Sequence, residues 1–332
     1  MTSIQGMMQA LAILGACSIG AAGCIGAPDN DPALSSIDAP LNISQWTINA
    51  KVPGMSSKQS PALAAMNGVA YLNHSSQNDT PIWWARFTQN GWTGDSPVPG
   101  QASNATPSLA AFNGALHMLH LSATSGATQV WHTQLDPVTL TWTPNSMLSF
   151  NSVGTPAIQA FNSRLQIIGV TPGSLQLWQA EIIGNNPPSN FRALSGMFSA
   201  TPVSLAVLDN RLYMVHRTGV FHDMVLNSSP DGIAWGPDVQ IDGGFDGGLQ
   251  TVPDQPAIAA YGGVLHLVHN ETNHPGIWWS YYTPSTSVWT SEVAFPAPQS
   301  MAGFAALAPL PNQLLMVHHG ATENTLWYSI FQ

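Results

Sequence analysis

Short apolar runs alternate with turn-forming polar residues along most of this chain, and the alternation recurs as a phrase. Six runs open it: Pro61-Ala-Leu-Ala-Ala-Met, Pro107-Ser-Leu-Ala-Ala-Phe, Pro156-Ala-Ile-Gln-Ala-Phe, Pro202-Val-Ser-Leu-Ala-Val, Pro256-Ala-Ile-Ala-Ala-Tyr and Gly303-Phe-Ala-Ala-Leu-Ala. Their starts lie roughly 46 to 54 residues apart, the spacing at which four short strands make one propeller blade. After each run comes a turn. Asn67-Gly68, Asn113-Gly114, Asn162-Ser163, Asp209-Asn210 and Gly262-Gly263 all tolerate positive φ, as two-residue hairpin turns require.

The turn leads into a second apolar run, predicted as strand two: Val69 to His74, Leu116 to His120, Leu165 to Gly169, Leu212 to His216, Leu265 to His269 and Leu314 to His318. Strand three then carries Trp83-Trp84, Trp131-His132, Trp178-Gln179, Met224-Val225, Trp278-Trp279 and Trp327-Tyr328, and strand four carries Trp92, Trp142, Phe191, Trp235 and Trp289. The sixth repeat lacks its fourth strand, because the chain stops at Gln332. The missing aromatic stands at the other end, in Gln45-Trp46-Thr47. An N-terminal strand therefore completes the last blade and closes an all-β, six-bladed β-propeller over 45–332, removing the edges an open array would expose. Two all-β sandwiches are the structural rival, but they would not need the two ends of the chain to match.

Composition agrees: 44% hydrophobic residues with 29 Gly and 26 Pro describe many short strands joined by many turns. Only 7% of residues are charged, far below the usual quarter, so polar uncharged side chains must keep the surface wet. A formal charge of -10 with seven Lys and Arg, none of them in a run, argues against nucleic acid and anionic membranes as partners. Residues 1–24 read as an apolar export leader and 25–44 as a Pro/Asp/Ser linker. Leu14-Gly15-Ala16-Cys17 and Ala21-Ala22-Gly23-Cys24 resemble the motif before the lipidated Cys of bacterial lipoproteins, although the basic n-region is absent. A plain signal peptide and a buried apolar segment are the alternatives. The expectation is an extracellular or cell-surface protein, with a lipid anchor on Cys17 or Cys24 and no transmembrane span.

The phrase shared by residues 61–92, 107–142 and 256–289 resembles the repeats of bacterial β-propeller lectins of the Photorhabdus fucose-binding type. It is similar, more distantly, to six-bladed fungal fucose lectins and to sialidase-like propellers. The resemblance implies a propeller that binds glycans, fucosylated or methylated sugars among them. The Photorhabdus-type lectins have seven blades against six here. Ser229-Pro-Asp231-Gly-Ile-Ala-Trp235 resembles the turn motif of sialidase-like propellers, in which the Asp ties a hairpin together and does no chemistry.

Candidate ligand-binding residues gather on the face that holds the loops between strands two and three. They are His74, His120, His216, His269 and His318, the strand-three Trp83, Trp131, Trp278 and Trp327, and the loop acids Asp79, Glu271 and Glu323. A ring, a carboxylate and an aromatic face suit a sugar. Each feature also has a plainer reading, the His as a hydrogen-bond donor to the backbone of the adjoining blade and the Trp as packing between blades. Gly169 in place of His and Met224 in place of Trp mark degenerate clefts.

No cofactor is expected. His117 and His120, three apart on a strand, point to opposite faces, and only His318-His319 or His269 with His274 leave a local metal site conceivable. The Gly/Asp-rich loop Asp242 to Asp246 could wrap Ca²⁺ through carboxylate and carbonyl oxygens, but it lacks the ligand spacing of a known calcium loop and reads better as a flexible insertion. Glycosidase chemistry needs paired carboxylates, and the five Arg show no convergence. The sequence therefore predicts a non-enzymatic, multivalent lectin, with a protein-binding scaffold as the alternative and a sialidase-like glycosidase behind both.

Overall fold

The structure, a computed structural model, describes residues 45–47, 49–218, 223–241, 254–270, 276–296 and 299–332. The leader and linker expected over 1–44, the Asp242 to Asp246 loop, Glu271 and His274 lie outside the described residues. The described strands form six antiparallel sheets, one per repeat, and together a six-bladed propeller.

In blades 1 to 5 each sheet follows chain order from the axis outward. In blade 1 these strands are Ala62–Met66, Val69–Ser75 and Pro81–Thr88, with an outer strand made of Gly91–Trp92 and Ser96–Ala102. The inner and second strands join by tight hairpins whose two central residues both have positive φ, 52° and 75° at Asn67 and Gly68 and 49° and 57° at Asn162 and Ser163. That is the hairpin geometry whose twist matches the strands, and it explains why Asn, Asp and Gly recur there.

Blade 6 is built from both ends of the chain. Ala50–Ser56 pairs antiparallel with Thr325–Phe331, and Trp46 bridges Phe331. The Thr47 amide donates to the Ile330 carbonyl at 2.8 Å, and the Gln332 amide to that of Gln45 at 3.2 Å. The closing strand is thus longer than the Gln45-Trp46-Thr47 segment that predicted it. A second departure is in blade 4, whose outer strand is Val239–Gln240; Trp235 sits in the preceding turn and packs against blade 3.

The apolar core is divided among the six blade interfaces. Tyr71, Ile82 and Trp84 of blade 1 meet Leu116 and Met118 of blade 2, and five comparable clusters complete the ring. A second strand is sandwiched between two neighbouring blades, so both of its faces are buried. Val69–Ser75 shows this, being buried from Ala70 through Ser75. This double burial is why strand two reads as a continuous apolar run rather than an alternating one. Inner strands are rich in alanine because six of them converge on the axis. Polar groups tie neighbouring inner strands: Ser108 Oγ donates to the Pro156 carbonyl at 2.6 Å, and the Phe304 amide to Ser60 Oγ at 3.0 Å.

Candidate functional site

All five candidate histidines are buried, with at most 1% of the side chain exposed. Each Nε2 faces a side chain at the start of the outer strand of its own blade: Asp95 for His74 (3.2 Å), Asn145 for His120 (3.2 Å), Asp238 for His216 (3.3 Å), Glu292 for His269 (3.1 Å) and Asn49 for His318 (3.1 Å). Four of the five also place Nδ1 against the next residue's carbonyl, at 2.8 Å in His74 and His120. The ring is therefore a bolt joining strand two to the outer strand. His269 and Glu292 are both fully buried, so His269→Ala leaves a carboxylate without its ring partner inside the blade. We expect it to cost about 3 kcal/mol in chemical denaturation. A loss under 1 kcal/mol would release the ring for another role.

Blade 3 lacks the bolt at both ends. Register places Gly169 where the other blades have His, and Phe191 two residues before the partner of Trp178, where they have Asp, Asn or Glu. The Trp178 indole lies over Gly169, so close that a Cβ there would stand 2.2 Å from its Cζ2. Gly169→Ala should cost about 1 to 3 kcal/mol by overpacking, measured as a shift of the denaturant midpoint. An unchanged midpoint would mean that the indole moves aside freely.

Each strand-three Trp lies directly across from its blade's His, Trp83 opposite His74 and Trp131 opposite His120. The same holds for Trp278 with His269 and Trp327 with His318. Trp278 is buried, while Trp83, Trp131 and Trp327 are half-buried. The Lys51 ammonium sits 4.9 Å from the Trp327 ring and 3.3 Å from the Glu323 carboxylate, which brings these two candidates together under a cation of the closing strand. Asp79 is exposed and accepts a hydrogen bond from the Thr80 amide at 2.8 Å.

An axial funnel of about 490 Å³ opens among the inner strands, lined by Ala, Leu, Ser and Pro, with Gln59, Asn104, Thr155 and Gln255 near the strand-entry face. Next to Gln255, the Asp254 carboxylate accepts a hydrogen bond from Asn270 Nδ2 at 2.9 Å, and the same amide donates to the Gly303 carbonyl at 3.1 Å. Burial lowers the pKa of Arg217, and the charge of Asp254 pulls it back up. Asp223, whose backbone carbonyl accepts from the Thr218 amide at 2.9 Å, is buried immediately before the third strand of blade 4. The residue after each bolt position is Ser75, Leu121, Val170, Arg217, Asn270 or His319, so blades 4 to 6 alone place large polar groups there. Arg217 shows no convergence with other Arg along the chain, and Asp254 and Asn270 carry no repeated signal, because they break the repeat rather than follow it.

Other charged side chains tie strands and turns together. Arg164 Nη1 donates to the buried Glu181 carboxylate at 2.8 Å, and Arg192 Nη2 to the Gly232 carbonyl at 3.1 Å. Asp231 Oδ1 accepts from the Ile233 and Ala234 amides at 2.7 and 2.8 Å, tying the blade-4 hairpin. Among the described residues no group of three His, Cys, Asp or Glu side chains is placed to hold a metal ion. No helix among them is long and apolar enough to cross a membrane.

No family model matches this sequence, and no curated protein matches it. Solved structures do resemble its fold. The Hadza microbial sialidase Hz136 aligns with a TM-score of 0.59 at 12% identity, over 82% of this chain and 66% of its own. The K499G mutant of NanB sialidase from Streptococcus pneumoniae aligns with a TM-score of 0.61 at 9% identity, over 84% and 70%. YjhT aligns with a TM-score of 0.57 at 12% identity, over 84% and 95%. The chain thus spans about two thirds of the sialidases and nearly all of YjhT. Two of these three neighbours are sialidases; the likeness is one of fold, and it does not confirm the Photorhabdus lectin type. They overturn the expectation of a non-enzymatic lectin with repeated sugar clefts. The physical reason lies in the blades, since the repeated His that suggested several sugar sites are used up as internal bolts.

Proposed function

We propose that this chain is a carbohydrate-active propeller of the sialidase-like class, holding a glycan over the mouth of its axial funnel. One observation carries the reading: a guanidinium, a carboxylate and an amide gather in one sector beside a funnel whose own lining is uncharged. Arg217 gives an anionic sugar substituent a counter-charge, and Asn270 holds Asp254 in place. Asp254 is the carboxyl group this sector supplies for acid–base work on a glycosidic bond. The sugar-acting neighbours support the same substrate class.

The test is turnover of a panel of fluorogenic glycosides, a sialoside included, by the full chain and its variants. We expect Asp254→Asn to lower kcat by about 10² or more, as loss of an acid–base group does, and Arg217→Gln to raise KM for the acidic glycoside. No turnover across the panel, or rates unchanged by Asp254→Asn, would overturn the proposal.

A further inference from the structure

Blade 3 stands apart from the other five at the outer end of its interface with blade 2. A cleft of about 470 Å³ lies there, with Trp178 and Ala180 as its buried floor, Phe150 and Phe191 as walls, and Ser149 and Asn151 on the rim. It exists because the bolt is missing: Gly169 leaves room for the indole to fold onto strand two, and an aromatic side chain replaces the outer-strand acid or amide. Phe150 and Trp178 are 4.7 Å apart at 54°, Trp178 and Phe191 5.3 Å apart at 32°, and Phe150 and Phe191 6.3 Å apart at 26°. Phe191 is packed on this cluster yet 59% exposed. Its exposed ring borders the cavity and offers a flat stacking surface. No charged residue lines the cleft, and its rim offers hydroxyl and amide groups.

We propose that this cleft is a binding site for an uncharged, planar aromatic molecule carrying one or two oxygen acceptors. The guest stacks on the open face of Phe191 in the offset geometry that aromatic pairs favour. Its oxygens meet the rim hydroxyl and amide groups, and the apolar walls with few polar groups are the usual make-up of a small-molecule pocket. The cavity holds a molecule of two or three fused or linked rings. A charged guest is disfavoured, because nothing in the lining compensates its loss of hydration. The site is independent of the axial funnel and of the activity proposed for it.

The experiment titrates the full chain with coumarin and with flavone, following ligand and tryptophan fluorescence, alongside a carboxylated coumarin and a neutral methyl glycoside. Saturable binding of the neutral aromatics is expected, at least tenfold weaker in Phe191→Ala and at least fivefold weaker for the carboxylated analogue. Phe191→Tyr, which keeps the stacking face, should bind within about twofold of the parent. Circular dichroism of each variant confirms the fold, and Phe191 is exposed enough for its replacement to leave the blade intact. No saturable binding, affinity unchanged in Phe191→Ala, or preference for the methyl glycoside would each overturn the proposal.

Discussion

The thermal midpoint of this protein should fall steeply between pH 7 and pH 4.5. The cause is a set of histidines buried in the neutral form. Burial lowers the pKa of His266 and His318 from 6.5 to about 4, and it does the same to His117 and His132. In the unfolded chain these groups take up protons as pH drops through about 6.5, while the folded chain resists until about 4. Stability is therefore fully present above the unfolded value and lost as pH falls through that window.

A shift of this size is worth about 3 kcal/mol per fully carried site, and about 2 kcal/mol of it is gone by pH 5. His266 and His318 alone then consume a large part of the 5–15 kcal/mol that holds a typical domain. His117 and His132, with Nδ1 and Nε2 3.0 Å apart, add to the loss in the same direction, because a second charge cannot enter beside the first. His266 shows what protonation breaks: its Nδ1 accepts the Trp279 indole N–H at 3.1 Å. His266→Gln keeps an acceptor and removes the titration, so its midpoint should vary less with pH than that of the parent. Scanning calorimetry across pH 7 to 4.5 decides the matter, and a flat midpoint down to pH 5 would sink the argument.

The second large effect concerns ring closure. A chain beginning at residue 45 should fold as the full chain does, whereas one beginning at residue 57 should be expanded or aggregated. Removing 45–56 takes Trp46, Val52 and Met55, each at most 5% exposed, out of two blade interfaces. Each buried side chain of this kind is worth about 1.5–3 kcal/mol. The deletion also leaves the Thr325–Phe331 strand as an open edge, a template for association with other chains. Size-exclusion chromatography with light scattering reads the outcome, and a compact, monomeric 57–332 chain would show that the closing strand is dispensable.

Much of the fold was legible in the sequence because its determinants are local. Asn67-Gly68 and Asn162-Ser163 mark hairpins by their own φ preferences, and the apolar runs around them identify strands sandwiched between blades. Even closure could be read, since Trp46 supplies the one aromatic that the sixth repeat lacks. The histidines were visible as well, but not their use. Their partners Asp95, Asn145, Asp238 and Glu292 lie 21 to 25 residues further on, and Asn49 reaches His318 only across the closed ring. A repeated His with no partner in view reads as a repeated ligand site. The calcium reading of Asp242 to Asp246 and the role of Glu271 fall outside the described residues.

Blade 3 makes the same point in reverse. Gly169 looked like a degenerate cleft, and it is the substitution that lets Trp178 fold inward beside an open aromatic pocket. By itself the sequence determined the strand order, the six-fold repeat and the closure, because turn chemistry and apolar periodicity act over a few residues. Only the tertiary structure decided which side chains are bolts and which face a cavity. Burial and hydrogen-bond partnership depend on neighbours brought together by register between strands and by packing between blades, and neither is written in any one stretch of chain.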